Sequence, residues 1–358
     1  MTEDNKKGQQ DKCYFTRREF IKSTAVGATA IYLGPSFAFG ADADLKSRVV
    51  NIINSKLINS NDQVNDQYAR QCVEEALLLL TQKNDIKDAW MQIFPDLKTK
   101  DTIGLKVNCL NRKCPTHKEI SYAIAQSMID SFGMNPNNII IWDRTTSELK
   151  KSGYTINKSD KGIRCFGTVE NFSIPRWIIN KNQDEEGGIG YDKSQPINVS
   201  DGMTSHLSKI LTRMSTYMIN VPVLKDHGKA GITLSLKNHY GTIDNPKDCH
   251  SNYCNPFISK MNAASQIKDK TKLIICDAAF GIYKGGPLGA PQWKNNSILA
   301  STDPVALDYS GMQIINAQRK KNDLDKVDVK AVHVKTSHDM GLGNADPNKI
   351  ILKETVLS

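Results

Sequence analysis

"DTIGLKVNCL" (Asp101–Leu110), "EISYAIAQSMIDSFG" (Glu119–Gly133) and "NIIIWD" (Asn138–Asp143) stand in one unbroken stretch of the 358-residue chain. The first and third runs read as strands. The middle run reads as a helix ended by Gly133. Two strands joined by a helix pair in parallel, because the chain must cross back over the sheet before the second strand begins.

The flanks extend that reading. Upstream, "DQVNDQYARQCVEEALLLLT" (Asp62–Thr81) repeats Val64, Tyr68, Cys72, Ala76 and Leu79 at helical spacing, and "IKDAWMQIF" (Ile86–Phe94) predicts a shorter helix. Downstream, "TYMINVPV", "TKLIICDA", "SILAS" and "AVHVKTS" are short runs rich in β-branched residues and read as strands. Before the last of them, "TDPVALDYSGMQIINAQRK" predicts a helix capped by Asp303, with Pro304 in its first turn. Residues 150–202 are polar and read as loops and edge strands. The expected fold class is α/β, a mixed or mostly parallel sheet flanked by helices in one compact domain.

The N-terminus has a different plan. "TRREFIKSTAVGATAIYLGPSFAFGADA" sets Arg17 and Arg18 before a mildly apolar run and a small-x-small site. That order predicts an export signal over residues 1–40, with the twin arginine pointing to the Tat export machinery as a partner. Residues 41–98 are expected as an N-terminal helical segment packed on the main domain, and 99–358 as the α/β domain. No later run reaches the roughly 18 apolar residues of a membrane span, so no stable membrane anchor is expected. The predicted location is periplasmic or extracellular. A formal charge of +9 without a dense basic stripe argues against nucleic acid.

Chemistry concentrates in "LKDHGKAGITLSLKNHYG" (Leu224–Gly241), where Leu-Lys-x-His occurs twice. A strand ending in "NVPVLK" brings Lys225, Asp226 and His227 to its C-terminal end, where open α/β sheets bind ligands. "ITLSLKNHYG" fits either a strand or a short helix. In both cases Lys237 and His239 lie near apolar neighbours, where lost solvation would depress their pKa values and suit them to acid–base work. Lys225, His227, Lys237 and His239 are therefore the candidate catalytic groups. Asp277 and Asp308 approach from neighbouring elements, and Asp308 is a buried partner or ligand. The alternative is structural: snorkelling lysines, and histidines that satisfy buried carbonyls.

"DCHSNYC" (Asp248–Cys254) adds Cys249, His250 and Cys254, a knot open to three readings: a divalent transition metal such as zinc or iron, a local disulfide, or free thiols. Cys109 and Cys114 form a second pair, with His117 three residues on. Neither knot has the Cys-x2-Cys spacing of a strong zinc motif. No cysteine run suits a ferredoxin-type iron–sulfur cluster. Seven cysteines remain beyond Cys13, an odd number that cannot all pair.

"NVPVLKDHGKAGITLSLKNHYGTI" (Asn220–Ile243), "DAAFGIYKGGPLGAPQ" (Asp277–Gln292) and "STDPVALDYSG" (Ser301–Gly311) resemble the signature segments of the domain-of-unknown-function 362 family. The closer resemblance is to its twin-arginine-exported, single-domain branch, from about Thr99 to near the C-terminus. The resemblance implies one α/β domain with the Lys225–His239 segment at its centre. It implies no substrate. The expectation is an exported enzyme that works on a small anionic molecule through a Lys/His-rich polar pocket, with or without a metal. The competing expectation is a periplasmic metal- or ligand-binding protein without turnover.

Overall fold

A computed structural model describes residues 46–98, 100–171 and 188–358, all within the unit Ala43–Ser358. The expected signal over 1–40 lies outside the described residues, as does part of the polar stretch before residue 202. In chain order the elements are β1 (Ser47–Asn54), α1 (Asp66–Thr81), α2 (Ile86–Ile93), β2 (Ile103–Lys106), α3 (Lys118–Phe132), β3 (Ile139–Thr145), α4 (Thr146–Lys151) and β4 (Arg164–Val169). A separate hairpin of β5 (Tyr191–Ser200) and β6 (Met203–Ser208) precedes β7 (Tyr217–Asn220), β8 (Val223–His227), β9 (Gly231–Ile232) and the one-turn helix α5 (Ser235–Asn238). Then come α6 (Phe257–Asn262), α7 (Ser265–Lys268), β10 (Thr271–Ile282), β11 (Trp293–Ser301), α8 (Pro304–Lys321), α9 (Val332–Asp339) and β12 (Ile350–Leu357).

The expected fold class holds. The main sheet has the order β12-β1-β11-β10-β7-β2-β3-β4, with β8 set against β10 and β9 against β8. From β10 through β7, β2 and β3 to β4 every pairing is parallel. β11 runs antiparallel between β10 and β1. Helices cover both faces, so the central strands are apolar on both sides, as "IGLK" and "IIIWD" suggest. Trp90, Ile120, Ile124 and Met128 pack under one face, and Ile258, Leu307 and Ile315 over the other. Each fully buried aliphatic side chain contributes about 1.5–3 kcal/mol. Asp303 caps α8, accepting the backbone N–H groups of Val305 and Ala306, as expected.

Three expectations need correction. The 41–98 segment is more than helical: "SRVVNIIN" is β1, a strand inside the sheet. Val49 enters one core and Val50 and Ile52 the other, so the run shows no alternation that would mark it. "AVHVKTS" belongs to helix α9. Its period-two look is overridden by packing that buries His333, Val334 and Ser337 at helical spacing, with Ser337 bonded to Ser259 of α6. "YMINVPV" is two strands. Val221 and Pro222 separate β7 from β8, and the Pro222 carbonyl instead accepts the N–H of Asp277 at 2.8 Å.

The topology marks a crevice. From β2 the chain moves through α3 to β3 and then β4. From β7 it moves the opposite way, to β10. β2 and β7 are neighbours, so the connections part between their C-terminal ends. In open α/β sheets that switch point is where ligands bind.

Candidate functional site

The switch point is filled by a chain of buried amides and lysines. Asn108, just past β2, accepts a hydrogen bond from Lys225 Nζ at 2.6 Å and donates one to Asn238 at 2.9 Å. Asn238 Nδ2 donates to Asn220 Oδ1 at 2.7 Å and to the Lys106 carbonyl at 3.2 Å. Asn220 Nδ2 in turn reaches the Ser235 carbonyl at 2.9 Å and His239 Nε2 at 3.4 Å. Beside this chain Lys106 and Asp143, near the ends of β2 and β3, form a buried ion pair at 2.6 Å. Gly241 belongs there because a Cβ would come within 2.7 Å of Lys106 Nζ and 2.8 Å of Asp143 Oδ1.

Lys225 and His239 are therefore in the amide chain. Lys225 is fully buried, and burial lowers its pKa. His239 is pushed down to about 3 by burial, with the Lys106 charge adding to it. The second Lys-x-His repeat is helical rather than extended. Asp308 of α8 accepts the N–H groups of Ser235 at 2.6 Å and Leu236 at 3.1 Å. It thus caps the N-terminus of α5 from outside and fixes where Lys237 points. Asp308 works as a buried partner whose hydrogen bonds go to the α5 backbone.

A second polar group gathers around Lys237. Its Nζ lies 3.4 Å from His250 Nε2 and 3.6 Å from the centre of the Tyr240 ring, a cation–π contact. His227 stacks on His250 with ring centres 5.7 Å apart. Hydrogen bonds set the tautomers. His227 Nδ1 accepts the N–H groups of Lys229 at 3.1 Å and Ala230 at 3.0 Å, so its neutral form carries the proton on Nε2. His250 Nδ1 donates to the Pro246 carbonyl at 2.7 Å and leaves Nε2 as an acceptor for Lys237. No carboxylate pairs with Lys237 among the described residues. Burial brings the lysine down to about 8, His227 to about 2 and His250 to about 4, with the Lys237 charge adding to the effect on both histidines.

His333 of α9 completes this group, and the sequence reading missed it. It is fully buried, neither ring nitrogen has a partner, and burial followed by the Lys237 charge lowers it to about 3. The strand reading of "AVHVKTS" hid it. Lys106 was also missed, though a lysine at the end of an apolar strand was a usable signal.

The cysteine knot lies beside Lys237, on whose pKa Cys249 and Cys254 both act. Among the described residues no three His, Cys, Asp or Glu side chains are gathered to hold a metal ion. Cys249 and Cys254 are buried free thiols. Burial raises Cys249 to about 11, which makes it a poor thiolate at neutral pH. Tyr240 donates to the Cys249 carbonyl at 2.5 Å, so the knot braces the Lys237 wall. His117 does not join Cys109 and Cys114; its ring nitrogen bonds Asp277 at 2.7 Å.

Lys225 joins the two groups. Its charge acts on His227 on one side, and Asp277 and Cys114 act on it from the other. What results is a closed polar seam along the C-terminal ends of parallel strands. An open cleft of about 660 Å³ between α1 and β12 and one of about 130 Å³ beside β4 contain none of these residues.

An α/β domain with a buried Lys/His seam at its switch point is the class that fold and site define. The sequence profile described as "Domain of unknown function (DUF362)" matches residues 103–313, and the chain belongs to that family. The match spans β2 to α8 and so contains most of the seam. No curated protein matches the chain. A crystal structure of a protein from Thermotoga maritima is similar at a TM-score of 0.31 and 12 % identity, over 71 % of this chain. The chain spans 58 % of the length of that protein.

Proposed function

We propose that the protein is an enzyme that binds a small anionic substrate at Lys237 and transfers protons there. The observation that carries this is a buried lysine with no carboxylate partner among the described residues, facing three histidines held neutral. An unpaired buried charge is costly, and an incoming anion supplies the missing partner. The Lys237 ammonium and the His227 Nε2–H are hydrogen-bond donors for that anion. With its pKa near 8, Lys237 exchanges protons readily at neutral pH, as acid–base catalysis requires. Lys225 and His239 hold the floor of the site.

The test is calorimetric titration with inorganic phosphate, acetate and oxalate, on the wild type and on Lys237→Met. Binding by the wild type that the variant loses supports the reading. Equal binding by both, or binding by neither, counts against it.

A second reading, metal or ligand binding without turnover, draws on the nearness of Cys249 and Cys254 to Lys237 and on His250 Nε2, which faces the group. Stoichiometric zinc or iron in protein purified without tags or chelators would favour it. We further propose that the chain belongs to the exported branch of its family, taken by the Tat machinery to the periplasm or beyond. The twin arginine Arg17–Arg18 supports this. Among the described residues no helix is long and apolar enough to cross a membrane.

A further inference from the structure

We infer that His117, aligned by Asp277, is a general base of the same seam, placed to take a proton from an O–H, N–H or activated C–H of the bound molecule. This rests on the reading of the seam as an active site, but its evidence is separate. Asp277 is fully buried on β10. Its Oδ2 accepts two hydrogen bonds from one residue, the backbone N–H of His117 at 2.7 Å and the ring Nδ1–H at 2.7 Å. Its Oδ1 accepts the N–H of Ala279 at 3.1 Å. The carboxylate is thus fixed, and it fixes both the tautomer and the direction of the ring. Phe280 packs on the imidazole with ring centres 5.5 Å apart.

The proton on Nδ1 leaves the lone pair on Nε2. No protein group pairs with Nε2 among the described residues, and the His117 side chain is 21 % exposed. That differs from His227, His239 and His333, which are buried. The position is also apt. His117 is the residue before α3, in the loop after β2, at the switch point. Asp277 also acts on Lys225, so the dyad adjoins the seam.

A second pair of this kind, His206 Nδ1 with Asp244 at 2.8 Å, lies where the β5–β6 hairpin meets the Asp244 loop. Its carboxylate is 28 % exposed, against 0 % for Asp277. An aspartate held out of water aligns its histidine more firmly.

In the proposed step the substrate X–H bond breaks and an Nε2–H bond forms. The electron pair stays on X, and the resulting imidazolium is held by Asp277. Asp277 is a positioning residue. The charged groups facing His117 are Asp277 from β10 and Glu119 from its own helix. Burial opposes the imidazolium, but the two carboxylates outweigh it and raise the pKa of His117.

Carbethoxylation of the intact protein by diethylpyrocarbonate, mapped by mass spectrometry from pH 5 to 9, tests this without a known substrate. His117 should be modified in the folded state, with a rate midpoint above 6.5. Asp277→Asn should lower that midpoint by about one unit, a tenfold loss of proton affinity. His117→Asn keeps a donor for Asp277 and deletes Nε2. It should melt close to the wild type, whereas His117→Leu should melt lower. Protection of His117 equal to that of His333, or a wild-type midpoint at or below 6.5, overturns the inference. So does an Asn variant that melts as low as the Leu variant. If Asp277→Asn does not fold, nitrogen NMR of wild-type His117 decides: a proton on Nδ1 supports the inference, and one on Nε2 refutes it. Lys237→Met should leave His117 reactivity unchanged, so failure of anion binding at Lys237 and failure of the dyad are separate results.

Discussion

At the scale of single residues, Asp308 shows how a buried carboxyl positions another group. Its two oxygens hold the first two N–H groups of α5, and burial pushes its pKa well above the usual carboxylate range against those hydrogen bonds. Asp308→Ala leaves both N–H groups unpaired in the core. It should lower the unfolding free energy by about 1–3 kcal/mol per orphaned group, measured by urea denaturation. It should also weaken anion binding through misplacement of Lys237. Asp308→Asn keeps one acceptor and should recover part of both losses. Gly241 gives an independent check. A methyl group there meets the Lys106–Asp143 pair, so Gly241→Ala should lower the melting temperature. A variant as stable as the wild type would mean that the pair yields freely.

At the scale of elements, the sequence was most readable where pattern and packing agree. α1, α2, α3 and α8 carry helical spacing and recognisable caps, and β2, β3 and β10 are apolar runs of strand length. The central strand–helix–strand unit followed from those alone. β1 was missed because both its faces are buried, which erases alternation, and α9 because one turn of packing outweighed a short β-like run. The site was legible as composition but not as geometry. The doubled Lys-x-His motif marks two lysines and two histidines that are all buried. Its arms nonetheless divide, with Lys225 and His239 in the amide chain and His227 and Lys237 in the histidine group. The contacts that divide them come from Asn220 at the end of β7 and from Asn108 and His333, which are far away in sequence. His117 was legible only beside two cysteines, because its partner Asp277 is 160 residues distant.

At the scale of the whole molecule, the buried histidines predict how stability varies with pH. His227, His239 and His333 have folded pKa values of about 2, 3 and 3, below the ordinary 6.5. Between those values and 6.5 the unfolded chain binds more protons than the native one, so stability falls as pH falls below 6.5. Each such histidine contributes about 1.4 kcal/mol per pH unit. Burial raises Asp303 and Asp308, which act in the opposite sense, with backbone N–H donors limiting their effect. Urea midpoints should therefore be lower at pH 4.5 than at pH 6.5; equal midpoints would contradict buried neutral histidines. Lys237 adds a second window. Its folded pKa of about 8 lies below 10.5, so stability should gain from it as pH rises through that interval. Export is a separate matter at this scale. Replacing Arg17 and Arg18 together by lysine should leave the precursor in the cytoplasm, and unchanged export of that variant would remove the Tat assignment.

The most direct measurement is the unfolding free energy of Lys237→Met at pH 7, beside the wild type and without added ligand. Methionine keeps the apolar stem and removes the ammonium. If Lys237 is a buried cation kept for an incoming anion, the variant should be as stable as the wild type or more so, because an uncompensated charge has gone. If Lys237 instead holds the fold together through partners inside the protein, the variant should lose about 3–5 kcal/mol, the cost of breaking a buried ion pair, and that loss would contradict the account.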